Sequence, residues 1–553
     1  MLINYEAYRQ EALKAVSDVF VKEYKNSIGI PFPKIDFVLP DSDLYNTGQY
    51  YTSILDETWQ IHLNFGLLPK SYKDFREEVH VLTRHEVGHY MCCPFDVITH
   101  LRMLKTVIDI FNKYYASKFP SLDIIKLSGS LSNQVSDIIV DTVNFQRNKT
   151  ETLKSEIAWI KKGANFNSIP QHNKLMFLMK QALWKESLEL EETNEELISE
   201  VKSLSEQFEN GGIENKNLFS DKLESYTHVF FKLFEQDIID QQGDENPQNQ
   251  QPSPSPSKDS QQNGGQLVFL SPDTVQDSLI ELAQETSTQM FSQILSAAGF
   301  SSLSENDKEK IWFEAQSVDM IPIEDTAPMG SNDDYSYPTS WKLGDPIDEI
   351  DMMLTYTTSQ FFIPGVTTKK WEKNTLFDYG AEKKQLDLLL IIDTSGSMGN
   401  VIDSQSNMHQ AVLASYGLIN YFEFKQGQVA LIGFSDRITA DIEWTKHYDE
   451  VKEKLLINGH GGTNFPMQKV QSEIEKSKNT IVTVVITDGE INNIKETIDF
   501  FKDYLSEGNM LHIFLQTRDF GHYEELKNYG AKIIVALTAA EICETVLNDV
   551  CDN

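Results

Sequence analysis

The sequence predicts a multidomain α/β protein, with an α+β first half rich in helices and a doubly wound, mostly parallel sheet in the second half. Three observations carry that expectation. At 553 residues the chain exceeds what one hydrophobic core usually supports. The segment QQGDENPQNQQPSPSPSKDSQQNGGQ, residues 241–266, replaces nearly all large apolar side chains with Gln, Pro, Ser, Asn and Gly. Such a segment cannot bury enough surface to offset its ordering entropy, so it reads as a flexible tether. Beyond residue 380, near-continuous apolar runs alternate with helical stretches, which is the pattern of a parallel sheet covered on both faces.

In chain order, KIDFVLP and YTSILDETWQIHLNFGLL read as short strands, because they are β-branched and aromatic with turn residues around them. From about Lys73 the pattern turns helical until Pro94 stops it. Further helices are expected at roughly 98–117, 131–147, 150–162, 172–209 and 218–240. After the tether, PDTVQDSLIELAQETSTQMFSQILSAAGF reads as one amphipathic helix with Pro272 near its start. Residues 317–380 show no clear period. QLDLLLIID, QVALIGFSD, TIVTVVITDG, MLHIFLQT and KIIVALT then read as buried strands, with helices such as NMHQAVLASYGLINYF and NIKETIDFFKDYL between them. The expected domains are 1–240, the tether 241–266, a connecting region 267–380, and the sheet domain 381–553.

The formal net charge of −35, from 83 acidic against 48 basic residues, argues against nucleic-acid and anionic-membrane partners, which need clustered Lys and Arg. The start, MLINYEAYRQEALKAV, lacks the features of a secretory signal, and no run approaches the roughly 18 apolar residues of a membrane helix. Four unevenly spaced cysteines, Cys92, Cys93, Cys543 and Cys551, suit a reducing compartment, so the sequence predicts a cytoplasmic protein. Cys92 and Cys93 closely follow a pair of histidines and are read as buried thiols, with soft metal ligation as the alternative.

Two groups of residues carry chemistry. The first predicted strand of the sheet ends in DTSGSMG, which spaces Asp393, Ser395 and Ser397 as D-x-S-x-S. A turn at the carboxyl end of a strand points such oxygens at one spot, and hydroxyls, a carboxylate and waters are what a hard cation such as Mg²⁺ takes. GHGGTNF supplies Thr463 and VVITDGE supplies Asp488 at corresponding strand ends or loops. These five positions resemble, in order, the metal-ion-dependent adhesion site of von Willebrand factor A domains, over about residues 383–553. The resemblance implies that Ser395, Ser397 and Thr463 contact the ion, and that Asp393 and Asp488 hold it directly or through water. It also implies a docking surface that accepts a partner's carboxylate. His460, in the loop before Thr463, reads as a solvent-facing residue.

The second group is RHEVGHY, residues 84–90. On a helix His85 and His89 lie one turn apart on one face and can reach one Zn²⁺, and Glu86 beside them is placed as the general base of peptide hydrolysis. This H-E-x-x-H pattern resembles that of zinc metallopeptidases. The extended form of the pattern needs Gly at 92 and His at 95, where this chain has Cys92 and Phe95, so that subclass is excluded. The subclass with a carboxylate ligand takes it from a second helix, with another acid one turn later supporting a histidine. LSNQVSDIIVDTVNF offers Asp137 and Asp141, four apart on one face. Asp137 is assigned as ligand and Asp141 as its support; the reverse order, or a ligand from Glu151 or Glu156, stays open. His62, His80 and His100 read as surface or packing residues, and His80 as an alternative substrate contact.

Together the halves resemble bacterial and phage proteins in which a zincin-like metallopeptidase domain precedes a von Willebrand A-like domain, often encoded beside an AAA+ ATPase of the MoxR class. The resemblance implies a zinc peptidase that docks a MoxR-type ATPase, or else a non-catalytic adaptor of that ATPase with a structural or inactive zinc. The chain has no G-x-x-x-x-G-K-[ST] phosphate loop, so the ATPase would be a separate protein.

Overall fold

The computed structural model describes residues 5–23, 34–38, 50–55, 58–64, 71–94, 96–162, 169–242, 272–300, 303–318, 333–341, 369–375, 386–507, 509–516 and 521–552, with the single positions 32, 166, 320, 351 and 355. Apart from Gln241 and Gln242, the expected tether lies outside them. The chain divides into two compact units, residues 1–316 with 400–409, and residues 317–399 with 410–553.

The first unit opens with helix α1 (Tyr5–Glu23) and a three-stranded sheet of β1 (Lys34–Val38), β2 (Tyr50–Leu55) and β3 (Thr58–Asn64). β3 is central, parallel to β1 and antiparallel to β2. Helix α2 (Tyr72–Met91) starts at Ser71, whose hydroxyl accepts the Asp74 N–H, and ends where the Cys92 N–H reaches the Gly88 carbonyl just before Pro94. Its inner face buries Phe75, Val79, Leu82 and Val87 against Ala12, Val16 and Val19 of α1 and Ile35 of β1.

Helices α3 (Val97–Ile110), α4 (Ile124–Arg147), α5 (Lys149–Lys162), α6 (Gln171–Trp184), α7 (Glu195–Glu209) and α8 (Phe219–Gln242) follow. α4 is buried along most of its length, inside a core that also takes Leu175 and Met179 of α6, Leu197 and Val201 of α7, and Phe230 and Phe231 of α8. The single helix expected over 172–209 is in fact two, α6 and α7. Lys185 adopts a left-handed φ of 55° and ends α6, and Asn194 caps α7 by accepting the N–H groups of Glu196 and Leu197. Likewise the helix expected after Pro272 is two, α9 (Pro272–Gln284) and α10 (Thr288–Ala297), because Ser287 caps a new start at Thr288, its hydroxyl accepting the Met290 N–H. α9 and α10 pack on the first unit, where Arg102 of α3 pairs with Glu281 and Glu285, and α11 (Glu305–Val318) comes next.

The second unit contains a two-stranded antiparallel ribbon, β4 (Asp333–Ser340) with β5 (Lys369–Thr375), and a six-stranded sheet. The sheet is built from β6 (Leu386–Asp393), β7 (Val429–Phe434), β8 (Ile438–Thr445), β9 (Thr480–Thr487), β10 (Met510–Leu515) and β11 (Lys532–Val535), in the order β11-β10-β9-β6-β7-β8. All neighbours are parallel except β7 and β8. Helices α12 (Asn407–Phe424), α13 (Tyr448–Leu455), α14 (Met467–Lys476), α15 (Ile494–Ser506) and α16 (Ala539–Asp552) connect or follow the strands. β6, β7 and β9 are buried almost throughout, which is why each reads as an unbroken apolar run. The expected fold class is therefore observed, with three strands that the sequence reading does not include: β4 and β5, in the stretch without a clear period, and the edge strand β8. β8 alternates buried and exposed residues, as an edge strand with one wet face does.

Among the described residues, no helix is long and apolar enough to cross a membrane. Cys92, Cys93 and Cys543 are buried free thiols.

Candidate functional sites

The first site lies between α2 and α4. His85 and His89 project from one face of α2, and Asp137 and Asp141 from one face of α4, each pair one turn apart. The helices approach closely because position 88 is glycine: a Cβ there would overlap Cγ1 of Val140. The His85 and His89 Nε2 atoms are 3.2 Å apart, and the Asp137 Oδ1 is 3.5 Å from each. Three ligands on a tetrahedral zinc with bonds of about 2.0–2.1 Å sit about 3.3–3.4 Å from one another. His85, His89 and Asp137 thus occupy three corners of such a tetrahedron.

The partners of the other ring nitrogens decide what these corners offer. The His89 Nδ1 is 2.8 Å from the backbone oxygen of Cys93, which only accepts, so this nitrogen carries the proton. The His85 Nδ1 donates in the same way to the Asp141 Oδ1 at 2.7 Å. With a proton on each Nδ1, the two Nε2 atoms and the Asp137 Oδ1 are left facing one another, a donor set that a cation at its centre would join.

Charge burial points the same way. Glu86, Asp137, Asp141 and Glu156 are all buried carboxylates, accompanied by the buried ammonium of Lys180, whose Nζ lies 2.6 Å from the Asp141 Oδ2 and 3.1 Å from the Glu156 Oε1. Of these, Asp137 is the carboxylate that stands with the two Nε2 atoms. The donor set fits a divalent metal.

The alternative ligands lie elsewhere. Glu156 pairs with Lys180, and Glu151 pairs with Arg84 on the flank of α2. Cys93 contributes its carbonyl, while its thiol approaches the Ser136 hydroxyl at 3.5 Å; burial pushes the Cys92 thiol up to about 12 and Cys93 higher still. His80 is half-buried, and burial and then Arg84 push its pKa down. His100 is buried on α3; burial, with a smaller contribution from His89, pushes its pKa down to about 4. The side chain of His62 lies outside the described residues.

The sequence pattern missed Lys180. Its signal was a lone cation in the apolar stretch LMFLMKQALW, which has to find a buried counter-charge.

The second site lies at the carboxyl ends of β6 and β9. Asp393 ends β6, where its Oδ1 accepts the Ser395 N–H at 2.9 Å and its Oδ2 accepts the Thr487 hydroxyl at 2.7 Å. The Ser395 and Ser397 hydroxyl oxygens are 3.0 Å apart, close to the roughly 2.9 Å between adjacent oxygens around a Mg²⁺ with bonds of about 2.0–2.1 Å. Thr463 comes from the loop between α13 and α14. That loop is tied down by the Gly396 N–H to the Gly461 oxygen, the Asn464 N–H to the Ser435 oxygen, and the Asn492 N–H to the Thr463 oxygen. Gly459 lets the loop lie directly on the backbone of Thr394 and Ser395. Asp488 follows β9, and its Oδ1 accepts the Glu490 N–H at 3.1 Å.

Burial pushes the Asp393 carboxyl above the usual carboxylate range and Asp488 adds to this, against hydrogen bonds from Thr487 and Ser395. A divalent ion would answer both carboxylates. Ser397 is exposed, so the cluster opens to the surface, and His460 beside it is exposed too.

Residues 388–490 match the family model of the von Willebrand factor type A domain. The second unit carries a von Willebrand factor type A domain. The match spans the whole Asp393, Ser395, Ser397, Thr463 and Asp488 set. Among solved structures, an aerotolerance-related membrane protein from Bacteroides fragilis is 16% identical, with 30% of this chain covering 100% of that one at a TM-score of 0.26. The conserved hypothetical protein BatB from Bacteroides thetaiotaomicron is 15% identical, with 30% of this chain covering 100% of that one at a TM-score of 0.25. The pilus adhesin SpaC from Lactobacillus rhamnosus GG is 16% identical, with 31% of this chain covering 30% of that one at a TM-score of 0.25. Comparison with curated proteins found no match.

Proposed function

We propose that the first unit is a zincin-like metallopeptidase, holding zinc through His85, His89 and Asp137, and that the A domain docks a protein partner through a Mg²⁺ at Asp393, Ser395, Ser397, Thr463 and Asp488. The observation that supports the first part is the convergence of two Nε2 lone pairs and the Asp137 Oδ1 at tetrahedral spacing, each imidazole fixed from behind by Asp141 or the Cys93 carbonyl. Zinc held there would supply Lewis acidity for polarising a substrate carbonyl and acidifying water. Glu86 takes the proton from the attacking water and passes it to the leaving amine. Asp141 and the Cys93 carbonyl keep both imidazoles in the tautomer that presents Nε2.

A second reading is favoured by burial. The side chains of His85, His89 and Asp137 are only 0%, 11% and 2% exposed, which suits a closed structural site better than one with an open coordination position. On that reading the chain is a non-catalytic adaptor. In either case the A-domain partner we propose is a MoxR-type AAA+ ATPase, a proposal supported by the resemblance of the two-part organisation.

The deciding experiment incubates zinc-loaded protein, with and without a MoxR-type ATPase and ATP, against a broad peptide and protein library. The peptidase reading expects cleavage by the parent, and loss of cleavage with zinc retained in Glu86→Gln. A parent that cleaves nothing under any of these conditions overturns it and leaves the adaptor. The docking reading expects Mg²⁺-dependent capture of the ATPase that is lost with EDTA and in Ser395→Ala/Ser397→Ala; capture unaffected by both overturns it.

A further inference from the structure

Behind the metal-site cluster lies a buried cation that no motif requires. Lys180 sits on α6 within LMFLMKQALW, is 1% exposed, and extends its ammonium between the Asp141 Oδ2, at 2.6 Å, and the Glu156 Oε1, at 3.1 Å. Asp141 turns its other oxygen to the His85 Nδ1 at 2.7 Å. The result is a relay of buried groups running from Glu156 on α5 through Lys180 on α6 and Asp141 on α4 to His85 on α2. Each link fixes the next, because a carboxylate whose one oxygen is held by an ammonium has little freedom to turn the other.

We infer that Lys180 is a positioning residue for the metal site, which locks Asp141 so that His85 presents its Nε2 toward His89 and Asp137. The inference rests on the metal-binding reading above. Asp137 and Asp141 are like charges one turn apart on α4, and burial leaves little solvent between them. Lys180 offsets that repulsion on the side away from the metal and sets the direction in which Asp141 points. A structural ion pair alone would need only the charges to balance. A positioning role needs the ammonium itself at Asp141.

The two roles separate in a pair of variants. Lys180→Met removes the cation. Lys180→Met/Glu156→Gln removes one positive and one negative charge, keeping the local balance and guarding against a single variant that does not fold. Zinc affinity is read by competition with a chromophoric chelator, the visible spectrum of the Co²⁺-loaded protein reports coordination, and thermal unfolding of the chelator-stripped proteins reports the fold. The expected result is a loss of about 10–100-fold in zinc affinity and a changed Co²⁺ spectrum in both variants, with the double variant unfolding near the parent. The inference is overturned if the double variant recovers parental affinity and spectrum along with its stability, or if Lys180→Met binds zinc as the parent does. A parent that binds no transition metal overturns the metal-binding reading and this inference with it. A parent that binds zinc alongside unaffected variants overturns only the inference.

Discussion

Gly88→Ala tests the geometry that makes the metal site. On helix propensity alone the change would stabilise α2 by about 1 kcal/mol. The new methyl, however, falls well inside the 3.0 Å that real Cβ atoms respect, against Cγ1 of the buried Val140. Restoring ordinary contact requires α2 and α4 to part by on the order of 1 Å. Val140 lies three residues after Asp137 on α4, so the same movement would lengthen the 3.5 Å separations of the Asp137 Oδ1 from the two Nε2 atoms to about 4.5 Å. Two bonds of about 2.1 Å span at most about 4.2 Å, so the three ligands no longer reach one ion. The expected outcome is a fall in zinc affinity of about 10–100-fold, with a net destabilisation of up to about 2 kcal/mol once overpacking is set against propensity. Chelator competition measures the first and denaturant unfolding the second. Adding Val140→Ala removes the overlapping methyl and restores affinity, at a cavity cost of about 2 kcal/mol. A Gly88→Ala protein that binds zinc as tightly as the parent and is about 1 kcal/mol more stable refutes the argument.

His100 gives a pH dependence. Its pKa is pushed below the ordinary 6.5 to about 4, so the neutral buried ring contributes stability that is present above about 6.5 and is lost as pH falls toward about 4. The loss is about 3 kcal/mol across that window, and His100→Gln flattens it in a stability-against-pH series; an unchanged slope contradicts the assignment. Gly459→Ala in the A domain places a Cβ 2.6 Å from the Ser395 backbone oxygen, which has no flexible side chain to yield. It lifts the Thr463 loop off Thr394 and Ser395, lowering Mg²⁺ affinity at least tenfold by calorimetry and stability by about 1–3 kcal/mol. Parental Mg²⁺ binding would contradict that role for the loop.

Much of this architecture was legible in the sequence where one cause dominated. β6, β7 and β9 read as strands because they are buried on both faces. β8 did not, because ITADIEWT is an edge strand whose apolar run is interrupted by the exposed Asp441 and Glu443. The break between α6 and α7 was hidden because ESLELEE is made of good helix formers; a left-handed Lys185 and the Asn194 cap override that propensity. At the metal site, the four-residue spacings placed His85 with His89 and Asp137 with Asp141 on shared faces. That those faces meet depends on Gly88, on the bare carbonyl of Cys93 and on Lys180 from a helix some forty residues on. A side-chain motif records none of these, because two act through backbone or missing bulk and the third through tertiary contact.

The central claim is that His85, His89 and Asp137 hold one transition-metal ion. Elemental analysis of the purified full-length protein beside Asp137→Ala tests it most directly. The account predicts one zinc per chain in the parent and none retained by Asp137→Ala after dialysis. A parent carrying no zinc or other transition metal, or an Asp137→Ala protein that keeps its full complement, contradicts it.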